Sequence, residues 1–179
     1  MDNATAQNLI DLNTRFYAKH AASFSATRSA PWEGWQHVAD LARERFGDAP
    51  TSLRVFDLAC GNLRFERFLA EQLPRTSLHV TAIDNCPALA ANMNELARVD
   101  YHSADILTAL LVQSDHSCVN ANPTPQAAAL DAAFPHASCD IAVCFGFMHH
   151  VPGAALRQAI LSRLIGSVCP GGIVIVSFW

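Results

Sequence analysis

Lysine is almost missing from this chain: Lys19 stands alone beside eleven arginines. Over the first fifty residues five basic and six acidic residues nearly cancel, and the whole chain has a formal net charge of −4. Without a basic stripe, charge alone makes no case for a tight grip on a nucleic-acid backbone. Long apolar runs are missing as well. None reaches the ~18 residues that a membrane span needs. The start, Met1-Asp2-Asn3-Ala4, has no basic segment leading into an apolar one, as a secretory signal would. These absences predict a soluble protein with no membrane partner. The six cysteines (Cys60, Cys86, Cys118, Cys139, Cys144 and Cys169) include no C-x-x-C pair. Neither a zinc site nor a disulfide framework finds the spacing it requires. Buried, reduced thiols are the expectation, and with them a cytoplasmic location and no bound metal.

What is present fits one domain: 179 residues, 51% hydrophobic and 16% charged, enough to bury a core. Residues 1–50 read as an N-terminal helical cap. Leu9, Ile10, Leu12, Phe16 and Tyr17 follow helical spacing between Thr5 and His20. A polar turn over Ser23–Ala30 follows, then a second helix opened by Pro31 and closed by Gly47 and Pro50. Residues 51–179 change rhythm. Strands are predicted at Leu53–Leu58, Leu78–Ile83, Val99–His102, Ile141–Phe145 and Ile173–Phe178. Helices are predicted at Leu63–Gln72, from Pro87 to about Arg98, and at Ala154–Val168, with 113–138 as a long irregular insertion and Pro170-Gly171-Gly172 as a turn. Alternating strands and helices imply right-handed crossovers, and near-continuous apolar strands imply a sheet covered on both faces. The fold class is α/β, a doubly wound, mostly parallel sheet.

In such sheets ligands bind beyond the carboxyl ends of the strands. Those ends carry Asp57-Leu58-Ala59-Cys60-Gly61-Asn62, then Asp84-Asn85, then Asp105-Ile106, then Phe145-Gly146. A dinucleotide site wants G-x-G-x-x-G, so that backbone can approach a pyrophosphate. Ala59, Gly61 and Arg64 occupy those places here. Asp57 does little for a phosphate and much for an ammonium group. Asp84 is placed to accept from ribose hydroxyls, and Asp105 from an adenine amine. Three acids at three strand ends fit S-adenosylmethionine (SAM) better than NAD.

At these residues the chain resembles class I SAM-dependent methyltransferases from about Leu53 onward, with Asp57–Leu63 similar to the family's D-x-G-x-G-x-G. Ala59 and Leu63 replace two of its glycines, and Leu63 is expected to put bulk where backbone usually meets the ligand. The resemblance implies a Rossmann-like SAM methyltransferase fold, with S-adenosylhomocysteine (SAH) as product. It also implies a cofactor site built from Asp57, Ala59, Cys60, Gly61, Asp84, Asn85, Asp105, Ile106, Phe145 and Gly146. Met148-His149-His150 would begin the next helix, and His149 is a candidate base. The N-terminal Tyr17, Phe24-Ser25-Ala26-Thr27-Arg28, Trp32 and Trp35 resemble the leading segment of tRNA wobble-uridine carboxymethyl methyltransferases. On that likeness Tyr17 and Arg28 close over the cofactor, Arg28 pairing with its carboxylate.

The acceptor implied is a carboxylate, on a tRNA wobble uridine or on a small molecule. Ending at Trp179, the chain is expected to lack the last two strands of the family sheet and to cover its apolar edge by homodimerisation. Leu63 and the short C-terminus leave a second reading, a degenerate or truncated SAM-binding module without catalysis.

Overall fold

The computed structural model describes residues 1–28, 30–90, 98–115, 128 and 131–178. Helix α1 (Asn3–Ala26) is opened by Asp2, whose carboxylate accepts from the Thr5 backbone N–H at 2.8 Å. It runs further than the sequence suggests. Ser23 and Thr27 turn their hydroxyls back onto the His20 and Phe24 carbonyls, so polar residues are accommodated within the last turn and at its cap. Helix α2 (Gly34–Phe46) ends at Gly47, whose φ of 93° reverses the chain while its N–H reaches the Arg43 carbonyl at 2.8 Å.

Then follow β1 (Ser52–Leu58), α3 (Arg64–Gln72), β2 (Ser77–Asp84), β3 (Val99–Ser103), α4 (Ile106–Asp115), β4 (Cys139–Cys144), α5 (Gly153–Ser167) and β5 (Val168–Val176). The strands sit within a few residues of expectation, except the last. Helix α4 has no counterpart among the elements predicted from the sequence: it runs from the Asp105-Ile106 segment into the front of the 113–138 insertion. The helix expected after Pro87 falls largely outside the described residues, and 87–90 form a turn. Strand β5 starts at Val168, directly out of α5, so Pro170-Gly171-Gly172 lies within the strand and not before it. The pairing jumps there from Cys139 opposite Val168 to Ile141 opposite Ile173. A Cβ on Gly172 would sit 3.0 Å from the Asp140 carbonyl oxygen, so this irregular crossing requires glycine.

The sheet has the order β3-β2-β1-β4-β5, every pair parallel. Alternation along β1 builds a core on each face. Phe56 and Leu58 join Ile10 of α1, Leu110 of α4 and Ile160 of α5. Leu53 and Val55 join Trp35 of α2 and Phe68 of α3. By the same alternation Asp57 points to the α2/α3 side. Arg54 clamps β1 to β4 through a two-pronged contact with Asp140, at 3.1 and 2.8 Å.

The turn out of β1 decides the geometry above the sheet. Ala59, Gly61 and Leu63 have φ of 64°, 57° and 58°. Three alternate residues are therefore left-handed, a region that costs a residue with a side chain about 1–2 kcal/mol. The strain is held by the Ala59 and Cys60 N–H groups, which both donate to the Ile83 carbonyl of β2, at 2.8 and 3.2 Å. Leu63 is fully buried, and its side chain joins the α2/α3 core. The expected intrusion into the ligand's space is thus corrected: the left-handed backbone turns the side chain downward. We predict that Leu63→Ala, which keeps the strain and loses the packing, costs about 2–5 kcal/mol. Leu63→Gly should be about 1 kcal/mol more stable than Leu63→Ala despite losing more side chain, because it sheds the strain. Urea unfolding of the two variants measures this; the alanine variant proving the more stable would contradict the turn.

Candidate cofactor and active site

The carboxyl ends of the strands open into one cleft. The turn after β1 lends it Asp57, Ala59, Cys60 and Gly61. Asp84 and Asn85 come from the end of β2, and Asp105 and Ile106 from the start of α4. Phe145 and Gly146 come from beyond β4, and α1 crosses the mouth with Tyr17. Residues far apart in sequence are brought together because parallel strands all end on the same side of the sheet.

Two candidates stand elsewhere. Arg28 is exposed and off the wall, its guanidinium 3.7 Å from the centre of the Phe24 ring, while Phe24 itself lines the cleft. His149 is exposed, and its ring centre is 3.9 Å from that of His150. It is His150 that faces the cleft, with Nε2 3.0 Å from the Tyr17 hydroxyl. Met148–His150 do not begin the next helix. They form a single 3₁₀ turn, and α5 starts only after Pro152. In such a turn side chains three apart eclipse, so Phe147 and His150 share the cleft wall while His149 points away. Sequence reasoning also passed over Asn13 and Thr14, which line the cleft from α1. Thr14 accepts from the Asn85 side-chain amide at 3.1 Å. The signal was available: Ile10, Asn13, Thr14 and Tyr17 fall on one helical stripe.

The three acids are in different states. Asp84 is held rigidly, accepting from the Gly61 N–H at 2.9 Å and the Cys86 N–H at 2.8 Å. Burial raises its pKa, and these backbone donors pull it part of the way back. Asp105 caps α4, accepting from the Thr108 N–H and hydroxyl at 3.1 and 2.8 Å, while still facing the cleft. Asp57 is 3% exposed and its Oδ1 meets no donor. Burial, then Glu66, then Asp84 push it well above the usual carboxylate range. Burial also drives the Cys60 and Cys144 thiols up, so neither is a ready thiolate. His150 is lowered by burial and by His149, and stands as a neutral imidazole at pH 7. Among the described residues no group of three or more His, Cys, Asp or Glu side chains is placed to hold a metal, and no helix is long and apolar enough to cross a membrane.

Such a cleft suits a ligand with a positive head, hydroxyls and a flat apolar ring, because it offers carboxyls on one side and Phe145 and Phe147 on the other. Among the described residues it offers no activated nucleophile.

Comparison with known proteins agrees. Residues 56–176 match the family described as methyltransferase domain. A structure titled DhpI-SAM-HEP complex superposes with a TM-score of 0.59 at 22% identity, covering 93% of this chain and 64% of that one. The sugar N-methyltransferase KedS8 from Streptoalloteichus sp ATCC 53650 gives 0.58 at 18% identity, covering 88% and 53%. SAM-bound CalS10, an amino pentose methyltransferase from Micromonospora echinaspora, gives 0.56 at 21%, covering 90% and 56%. At these identities the likeness is one of fold. The chain spans little more than half the length of the last two. No curated protein matches it. The chain belongs to the methyltransferase domain family, and its five parallel strands carry the Rossmann-like fold of the SAM-dependent methyltransferases.

Proposed function

We propose that the chain binds SAM in this cleft and methylates a carboxylate, on a small molecule or on a tRNA wobble uridine. The observation that carries the cofactor reading is the convergence of Asp57, Asp84 and Asp105 on one cleft at the carboxyl ends of the strands. On this reading an ammonium group meets the Asp57 carboxyl where it lines the cleft. Asp84, fixed by two backbone N–H groups, retains lone pairs for ribose hydroxyls. On this reading Asp105 and the Ile106 backbone, which line the same cleft, pair with the adenine edge.

The cofactor brings the reactive group, a methyl on a sulfonium, so the protein's task is alignment and exclusion of water. Tyr17, Phe24 and His150 form the wall on the acceptor's side. A carboxylate acceptor is already ionised at neutral pH and needs no base, which accords with His150 being occupied by the Tyr17 hydroxyl. Arg28, at the rim beside Phe24, supplies a positive charge that favours an anionic acceptor or the cofactor's own carboxylate. The non-catalytic reading rested partly on Leu63, and the buried position of that side chain removes the support.

Two measurements test this. Calorimetric titration with SAH should show micromolar binding, and Asp84→Ala should weaken it about ten- to a hundredfold through loss of charged hydrogen bonds. Circular dichroism on the variant checks that it stays folded. Failure of SAH to bind the folded wild-type chain would overturn the cofactor reading. Methyl-labelled SAM incubated with bulk tRNA or with small carboxylic acids should then transfer label. Binding without transfer to either would instead support a cofactor-binding module.

A further inference from the structure

Behind Asp57 lies a second buried acid that the cofactor reading does not use. Glu66, in the first turn of α3, is 0% exposed, and neither of its carboxyl oxygens meets a donor. Asp57, at the end of β1, points to the side of the sheet that α3 covers, and Glu66 pushes its carboxyl upward both as a charge and as a hydrogen-bonding neighbour. As two carboxylates they would be adjacent like charges in a dry interior, each without a partner. One hydrogen between them removes one of the two charges and pairs one oxygen of each carboxyl, and burial favours keeping it.

We propose that Glu66 is a positioning residue: it shares one proton with Asp57 in the free protein, and arrival of the cofactor's ammonium group on Asp57 expels that proton. This inference rests on the cofactor reading above. The balance is simple. The free pair carries one negative charge and one proton. The bound pair carries two negative charges facing one ammonium, and the proton leaves through the cleft, which Asp57 lines, to solvent. The N-terminal end of α3 and the neighbouring Arg67 help Glu66 carry charge once the proton has gone.

The other groups around the pair do not supply the proton. Cys60 in the turn and Cys144 on β4 stay as thiols because burial pushes them up. Asp84 on β2 accepts from two backbone N–H groups, which favour its ionised form, though burial works against them. His149 and His150, beyond β4, are lowered and already neutral at pH 7.

The linkage has a definite sign. The bound state holds fewer protons, so affinity rises with pH, by up to about tenfold per pH unit for one proton released. The test is calorimetric titration with SAH at pH 7 in buffers of differing ionisation enthalpy, repeated at pH 8. The wild-type chain should show a buffer-dependent enthalpy corresponding to proton release, and tighter binding at pH 8. In Glu66→Gln the amide donates permanently to Asp57, and both the buffer dependence and the pH dependence should vanish while binding remains. A purely structural role for Glu66 predicts neither. Wild-type binding with the same enthalpy in every buffer would overturn the proposal even if the glutamine variant fails to fold. Absence of any SAH binding would instead strike at the cofactor reading itself.

Discussion

The hydrogen bond from the Gly61 N–H to the Asp84 carboxylate joins the turn after β1 to the end of β2 across the top of the sheet. Together with the Ala59 and Cys60 N–H groups on the Ile83 carbonyl, that link fixes the turn after β1. It holds a left-handed turn at Ala59, Gly61 and Leu63, aims Leu63 into the α2/α3 core, and leaves the tip of β1 open to the cleft. Asp84 thereby does two things at once: it organises the turn and forms part of the wall a ligand would meet. Strain at 59 and 63, the buried Leu63 and the anchored carboxylate are parts of one arrangement.

The two-core sheet beneath makes the arrangement stiff. Phe56 and Leu58 pack one way, Leu53 and Val55 the other. A one-residue slip of a strand buried on both sides would exchange the two sets between cores packed for different side chains, so the position of Asp57 near the end of β1 is fixed by the packing of its own strand. Helix α1 adds Ile10 to that packing and lays Asn13, Thr14 and Tyr17 across the cleft with the same stripe.

Much of this was legible in the sequence, for physical reasons that differ from place to place. The central strands were legible because parallel strands buried on both sides are almost continuously apolar. The cleft was legible because strand order and a topological rule put Asp57, Asp84 and Asp105 together without any knowledge of side-chain contacts. Helix α4 was missed because its apolar residues from Ile106 to Val112 look like a short buried strand or loop, and its cap, Asp105, had been given wholly to a ligand. The choice of His149 over His150 turned on a single 3₁₀ turn, which local pattern does not distinguish from the start of a helix. Leu63 was read as an obstruction because the sequence names the side chain but not the sign of φ. The Asp57–Glu66 pair lay nine residues apart with nothing local to mark it; only burial of both exposes the problem that one proton solves.

The account stands on the claim that the strand-end carboxyls hold one cofactor in one orientation. A crystal structure of the chain with SAH tests it most directly. The account predicts ribose hydroxyls on Asp84, the adenine edge at Asp105 and Ile106, and the ammonium group on Asp57, with the turn from Ala59 to Leu63 unchanged. SAH bound with its amino-acid end away from Asp57, or outside the cleft, would contradict it.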